Sequence, residues 1–175
     1  TGLNHLAGLI SSVLASRHNS LMFRNIQANQ WVVAGEKLSM PQLEQYTRET
    51  IQNIVVSLAE YFYYYQHPEE GKKMIVLSPT AEETMREIVD RKVPTLLLGP
   101  HLGNYDLFGM SMTWLGVKPY VLSYPNPNNA YKAQNSMREA LGMSVNPISF
   151  SSFREAKKAL KEGYSVVTGI DRPLP

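Results

Sequence analysis

Residues 94–106 read Pro-Thr-Leu-Leu-Leu-Gly-Pro-His-Leu-Gly-Asn-Tyr-Asp, and the succession of side chains in that stretch decides the fold class. Pro94 to Leu98 is an apolar run too short for a buried helix, and Gly99 and Pro100 break it, so it predicts a buried strand. A helix is expected next, from about Asn104 to Leu115, with Asn104 near its N-cap. The alternation continues downstream. Pro119 to Ser123 predicts a strand, Asn128 to Leu141 a helix and Ser144 to Ile148 a strand. Ser151 to Lys161 predicts a helix stopped by Gly163, and Ser165 to Ile170 a last strand. Upstream, Met74 to Leu77 reads as a strand, and Thr80 as the cap of a helix running to about Arg91. Strands alternating with helices imply parallel strands joined by right-handed crossovers.

The first 66 residues carry a different pattern. Leu3, Leu6, Leu9, Ile10, Val13 and Leu14 recur at helical spacing, and a second periodic stretch runs from about Asn19 to Val33, where Gly35 ends it. Ser39 with Gln42 three residues on, and Pro41 in the first turn, predict the start of a long amphipathic helix. Its stripe is Leu43, Tyr46, Thr50, Ile51, Ile54, Val55, Leu58, Phe62 and Tyr65. The run Tyr63 to Tyr65 suits either packing under a neighbouring layer or a lipid headgroup interface. The expected class is therefore α/β: a helical N-terminal layer, residues 1–70, followed by a mostly parallel central sheet flanked by helices, residues 71–175. A chain of 175 residues suits one domain. Because it opens at Thr1 and stops at Pro175 just after a predicted strand, it reads as a piece of something longer.

Composition excludes several classes. With 43% hydrophobic residues the chain is apolar enough to fold, and a net charge of +2 is far from the basic balance of a nucleic-acid binder. The absence of cysteine removes disulfides, Cys-ligated metals and thiolate nucleophiles. No apolar run reaches the roughly 18 residues that span a bilayer. Charge is nevertheless uneven: residues 107–170 hold Lys118, Lys132, Arg138, Arg154, Lys157, Lys158 and Lys161 against Glu139, Glu155 and Glu162. That surplus suits an anionic lipid surface or an anionic carrier, and also an ordinary solvated helix face.

In parallel sheets, ligands bind beyond the carboxyl ends of the strands, which points to Gly99–Asp106, Ser123–Asn129 and Gly169–Pro175. No phosphate loop, dinucleotide fingerprint, G-x-S-x-G elbow or H-E-x-x-H zinc helix occurs there or elsewhere. The four histidines, at 5, 18, 67 and 101, are too scattered for a histidine-based metal site. His101 and Asp106 are different. A loop histidine and a first-turn aspartate can face each other, so that the carboxylate fixes the ring tautomer and the second ring nitrogen acts as a base. Spacing alone also fits a plain loop histidine beside an acid favoured by the helix dipole.

The whole string Leu96 to Asp106 resembles the strand–loop–helix signature of the bacterial lipid A biosynthesis (lauroyl/myristoyl) acyltransferase family, which includes phosphatidylinositol mannoside acyltransferases. That family belongs to a wider lysophospholipid and glycerol-phosphate acyltransferase superfamily marked by H-x-x-x-x-D or H-x-x-x-x-E. The segments Arg17 to Asn29 and Arg48 to Glu60 are similar to its N-terminal region, Arg138 to Gly142 to its R-x-x-x-G element, and Gly169 to Pro173 to the loop after a later core strand. One departure stands out: where many lipid A enzymes carry arginine before proline, this chain has Tyr124-Pro125.

The resemblance implies a glycerol-phosphate acyltransferase-like domain, incomplete at its C-terminal part, that moves a fatty acyl chain from an acyl carrier protein or coenzyme A thioester to a hydroxyl of a glycolipid or phospholipid. No metal and no other cofactor is implied. His101 would be the general base and Asp106 its support. Gly103 and Asn104 would shape an oxyanion site, while Arg138, Asp171 and Arg172 would meet polar or anionic groups of the substrates. The expected location is the cytoplasmic face of a bacterial inner membrane, peripheral or anchored by a segment outside this chain. Two other readings fit the same residues: a catalytically silent lipid-binding or assembly module, and an acyl-ester hydrolase using the same pair.

Overall fold

The computed structural model describes residues 2–170, with side chains from residue 5 onward. The chain divides into two compact units, residues 1–66 and 67–175. The first is helical: α1 (Gly2–Ala15), α2 (Leu21–Val33) and α3 (Met40–Gln66). Both shorter helices pack on α3. Ala15, Phe23 and Ile51 form its buried centre, and Gln30 Nε2 donates to Thr50 Oγ1 at 2.9 Å between α2 and α3. The expected start of α3 is present, with the Ser39 N–H donating to Gln42 Oε1 at 3.0 Å. Its buried line is narrower than the expected stripe. Leu43, Thr47, Ile51 and Val55 recur every four residues and are buried, whereas Tyr46, Ile54, Leu58 and Phe62 are exposed. Tyr63 to Tyr65 are half-buried, and the rings of Tyr63 and Tyr64 meet edge-on.

The second unit is α/β. Its order is α4 (Pro68–Lys73), α5 (Pro79–Val89), β1 (Thr95–Gly99), α6 (Tyr105–Trp114), β2 (Pro119–Ser123), α7 (Asn129–Ala140), β3 (Ser144–Pro147), α8 (Phe150–Lys161) and β4 (Ser165–Gly169). The four strands form one sheet in the order β1-β4-β2-β3, and every pairing is parallel. Residues in register share a face, so Leu96, Val166 and Tyr120 point one way and Leu97, Val167 and Val121 the other. α8 covers the first face through Ala156 and Ala159 on Tyr120, Leu122 and Val166. α5 and α6 cover the second near β1, where Ile88 and Met112 meet Leu97. Burying each such large apolar side chain contributes about 1.5–3 kcal/mol.

Two local expectations are corrected. Met74–Leu77 forms no strand; Met74 is 66% and Val76 91% exposed, because an apolar run becomes a strand only where a ladder partner accepts its N–H and C=O groups. The second helix of this region is capped by Ser78, not Thr80: Ser78 Oγ accepts from the Ala81 N–H at 3.2 Å. Pro79 explains the earlier start, since its fixed φ and missing N–H suit the first helical position.

The short helix α4 approaches α6 at Gly71, where a Cβ would run into the Trp114 ring. Gly71→Ala therefore sets an overpacking cost of about 1–3 kcal/mol against a helix-propensity gain of about 1 kcal/mol. A net loss of about 1 kcal/mol is expected in urea unfolding, and a rise in stability would show that α4 yields freely.

Candidate active site

The cleft at the carboxyl ends of the strands is built from three connections. After β1, Pro100 to Gly103 turn the chain, and Gly103 at φ +60° takes a left-handed conformation that costs a residue with a Cβ about 1–2 kcal/mol. Asn104 is the N-cap of α6, its Oδ1 accepting from the Leu107 N–H at 3.2 Å. This places Asp106 in the first helical turn, where the helix dipole favours an anion. From Ser123, the end of β2, the chain runs through Tyr124 to Asn128, the N-cap of α7. β4 ends at Gly169, at the same end of the sheet.

His101 packs its ring against Tyr105, with centroids 4.4 Å apart and planes tilted by 35°. It also lies close to β4: a Cβ on Gly169 would sit 2.6 Å from His101 Cε1. His101 and Tyr105 line a cleft of about 490 Å³ with Ser123, Tyr124, Asn128 and Thr168. A second space of about 130 Å³ is apolar, lined by Leu97, Phe108, Met112, Val121 and Met143 with Asp106 at its side. Tyr105, Val121 and Arg138 border both spaces. A cleft of mixed polar and apolar lining and an apolar pocket thus meet where the histidine loop enters α6.

Both oxygens of Asp106 are held by α7. Arg138 Nη2 donates to Oδ1 at 2.5 Å, and Gln134 Nε2 donates to Oδ2 at 2.7 Å. Residues four apart lie on one helical face, so a single side of α7 supplies both donors. Arg138 is further fixed by Asn135 Oδ1 at 2.9 Å and lies 5.5 Å from the Tyr131 ring centroid. Burial works against the Arg138 charge, but the Asp106 carboxylate, with help from Tyr131, outweighs it and holds the guanidinium above its usual pKa.

The structure thus gathers His101, Gly103, Asn104, Asp106 and Arg138 at one end of the sheet. Arg138, expected to meet an anion, meets one within the chain. Asp171 and Arg172 lie outside the described residues. Gln134, Tyr105 and Gly169 take part without having been singled out as site residues. A neutral amide on a polar helix carries no signal of its own, whereas the spacing Gln134–Arg138 on one face of a helix was readable. Among the described residues no cluster of His, Asp and Glu is placed to hold a metal ion, and no helix is long and apolar enough to cross a membrane.

Gly169→Ala tests the His101 position without touching a functional group. The added methyl displaces an imidazole at the end of a side chain, so the stability loss should stay near the low end of the overpacking range, about 1 kcal/mol. Activity that runs through His101 should fall about 10²-fold, the cost of misplacing a reacting group by roughly 1 Å. Full activity in this variant would mean that the ring position is not used.

The family model described as bacterial lipid A biosynthesis acyltransferase matches residues 10–174 of the chain. Among curated proteins, none matches it.

Proposed function

Because the chain belongs to the bacterial lipid A biosynthesis acyltransferase family, a family that transfers acyl groups to lipids, we propose that it moves a fatty acyl chain from a thioester to a hydroxyl of a glycolipid at the His101 cleft. The observation that carries this reading is the meeting of a cleft that carries polar side chains with an apolar pocket beside His101 and Asp106. Those are the two environments that a sugar hydroxyl and an alkyl chain require. Each methylene buried in the apolar pocket contributes about 0.8 kcal/mol to holding the donor.

In the proposed reaction a His101 ring nitrogen takes the proton of the acceptor hydroxyl as its oxygen attacks the thioester carbonyl. Amide groups of the Gly103–Tyr105 turn, at the positive end of α6, are the proposed donors to the oxyanion. Collapse of the tetrahedral intermediate expels the thiolate, which recovers the proton from the imidazolium. Asp106 is the proposed positioning residue for His101. Its carboxylate offers about four lone-pair sites; Arg138 and Gln134 take one on each oxygen, which leaves room for a ring N–H. Since the Arg138–Asp106 pair is neutral as a whole, its support to the imidazolium is more directional than electrostatic. Asp171 and Arg172 are proposed to contact the acceptor.

The donor is proposed to be acyl carrier protein or coenzyme A thioester, with no metal or cofactor, and the place of action the cytoplasmic face of a bacterial inner membrane. The test is transfer of a labelled acyl group from either thioester to a panel of glycolipids and phospholipids. Acceptor-dependent product supports the reading. Free fatty acid released equally with and without acceptor would replace it with a hydrolase, and lipid binding without turnover would replace it with a binding module.

A further inference from the structure

α8 presents two different faces. Ser152, Ala156 and Ala159 are buried against the sheet. At about 100° per residue, Phe153, Lys157, Phe150, Lys161 and Arg154 fall within one outward arc of about 100°. Phe150 is 91% and Phe153 52% exposed. Lys158, beside that arc, is paired with Glu155 at 2.9 Å. No ion pair engages Arg154, Lys157 or Lys161 among the described residues. Three uncommitted cations and two exposed aromatic rings therefore share one stripe. A solvated helix face needs the cations but has no use for the rings.

The stripe also has a place in the fold. α8 follows β3, and Ile148, two residues before Phe150, lines the cleft that holds His101. On the same side of the sheet Leu96 and Leu98 of β1 are exposed, because α8 lies over β2 and β4 and leaves the edge strand open. Apolar surface thus lies on the side of the sheet that carries the cations.

We propose that the outward stripe of α8 docks this protein on an anionic lipid surface, with Phe150 and Phe153 entering the headgroup region and Arg154, Lys157 and Lys161 meeting lipid phosphates. The composition is that of a helix lying in the interface plane: rings reach the acyl boundary while flexible cations stay at headgroup depth. Charge complementarity selects anionic over zwitterionic lipid. A folded acidic protein would also attract the cations, and the experiment separates the two. The inference deepens the membrane location proposed above, and its test fails separately from the acyl-transfer reading, because vesicle binding requires no turnover.

The full 175-residue chain is mixed with sedimentable vesicles of phosphatidylcholine alone, or of phosphatidylcholine with one-third phosphatidylglycerol, at 0.1 M salt. The readout is the ratio of partition coefficients, anionic over neutral, so that any binding to neutral lipid through other helices cancels. Wild-type protein should favour the anionic vesicles. Arg154→Gln/Lys157→Gln/Lys161→Gln should lower the ratio by roughly 100-fold, and Phe150→Ser/Phe153→Ser should lower partition into the anionic vesicles at least 10-fold. Circular dichroism should match wild type in both variants, since all five side chains are exposed. An unchanged ratio in the triple variant, or unchanged partition in the double variant, overturns the proposal. Capture by an acidic acyl carrier protein without any preference for anionic vesicles would overturn it in favour of a protein partner.

Discussion

Replacing His101 by alanine is expected to lower acyl transfer by about 10²–10⁴-fold, the usual contribution of a positioned general base. His101 lies in the loop after β1, with its ring against Tyr105 and over Gly169 rather than in a buried cluster, so the fold should survive. The check is single-turnover transfer with saturating thioester, beside an unfolding curve for the same variant. A loss confined to the rate, with donor affinity kept, fits a group that acts on the acceptor proton. Retention of more than a tenth of the rate would remove His101 from the chemistry, and with it the present reading of the cleft.

The largest stability effect is expected at Arg138. Its side chain is 11% and that of Asp106 21% exposed, so Arg138→Ala strands a carboxylate that is mostly out of water. Breaking a buried pair from one side costs about 3–5 kcal/mol, and the remaining exposure of both partners reduces this to about 2–4 kcal/mol. The loss should be read in urea unfolding. Arg138→Ala combined with Asp106→Asn should recover at least about 1 kcal/mol over the sum of the single losses, which a double-mutant cycle measures. Additive losses would show that the pair is not coupled. Gln134→Ala removes one hydrogen bond to a charged group and should cost about 1.5–3 kcal/mol at most. Arg138→Lys should rescue the charge but only part of the stability, because an ammonium cannot hold Asp106 and Asn135 at once in the fixed geometry of a guanidinium.

Legibility followed physical range. The strands at 95–99, 119–123, 144–147 and 165–169 were visible as short apolar or β-branched runs cut by Gly, Pro and Asn, and each fell within one residue of its expected bounds. Their parallel pairing followed from the helices between them, but the order β1-β4-β2-β3 did not, because pairing partners are chosen by tertiary packing. The run Met74–Leu77 shows the limit of a local signal: the apolar residues were present and no ladder received them. α4 escaped notice because Pro-Glu-Glu-Gly-Lys-Lys lacks apolar periodicity. Its acids at the start and lysines at the end, which complement the helix dipole, were the signal available. At the site, His101 and Asp106 were legible because each sits at a chain position with a chemical meaning, a loop after a strand and the first turn of a helix. The donors from α7 were not legible as partners of Asp106, since nothing between residues 106 and 134 states that the two helices converge.

The strand order also bears on how the chain is made. β4 is synthesised after the other three strands of this sheet, yet it lies between β1 and β2 and joins them. Until it emerges, those two strands have no ladder between them, and their open edges invite pairing with other nascent chains. The interval is the time needed to translate roughly 46 residues beyond Ser123, a few seconds at about 5–20 residues per second. Ribosomes stalled before residue 165 should therefore carry aggregation-prone chains that bind holdase chaperones, and chains extended past residue 169, in which β4 joins β1 to β2, should bind them less.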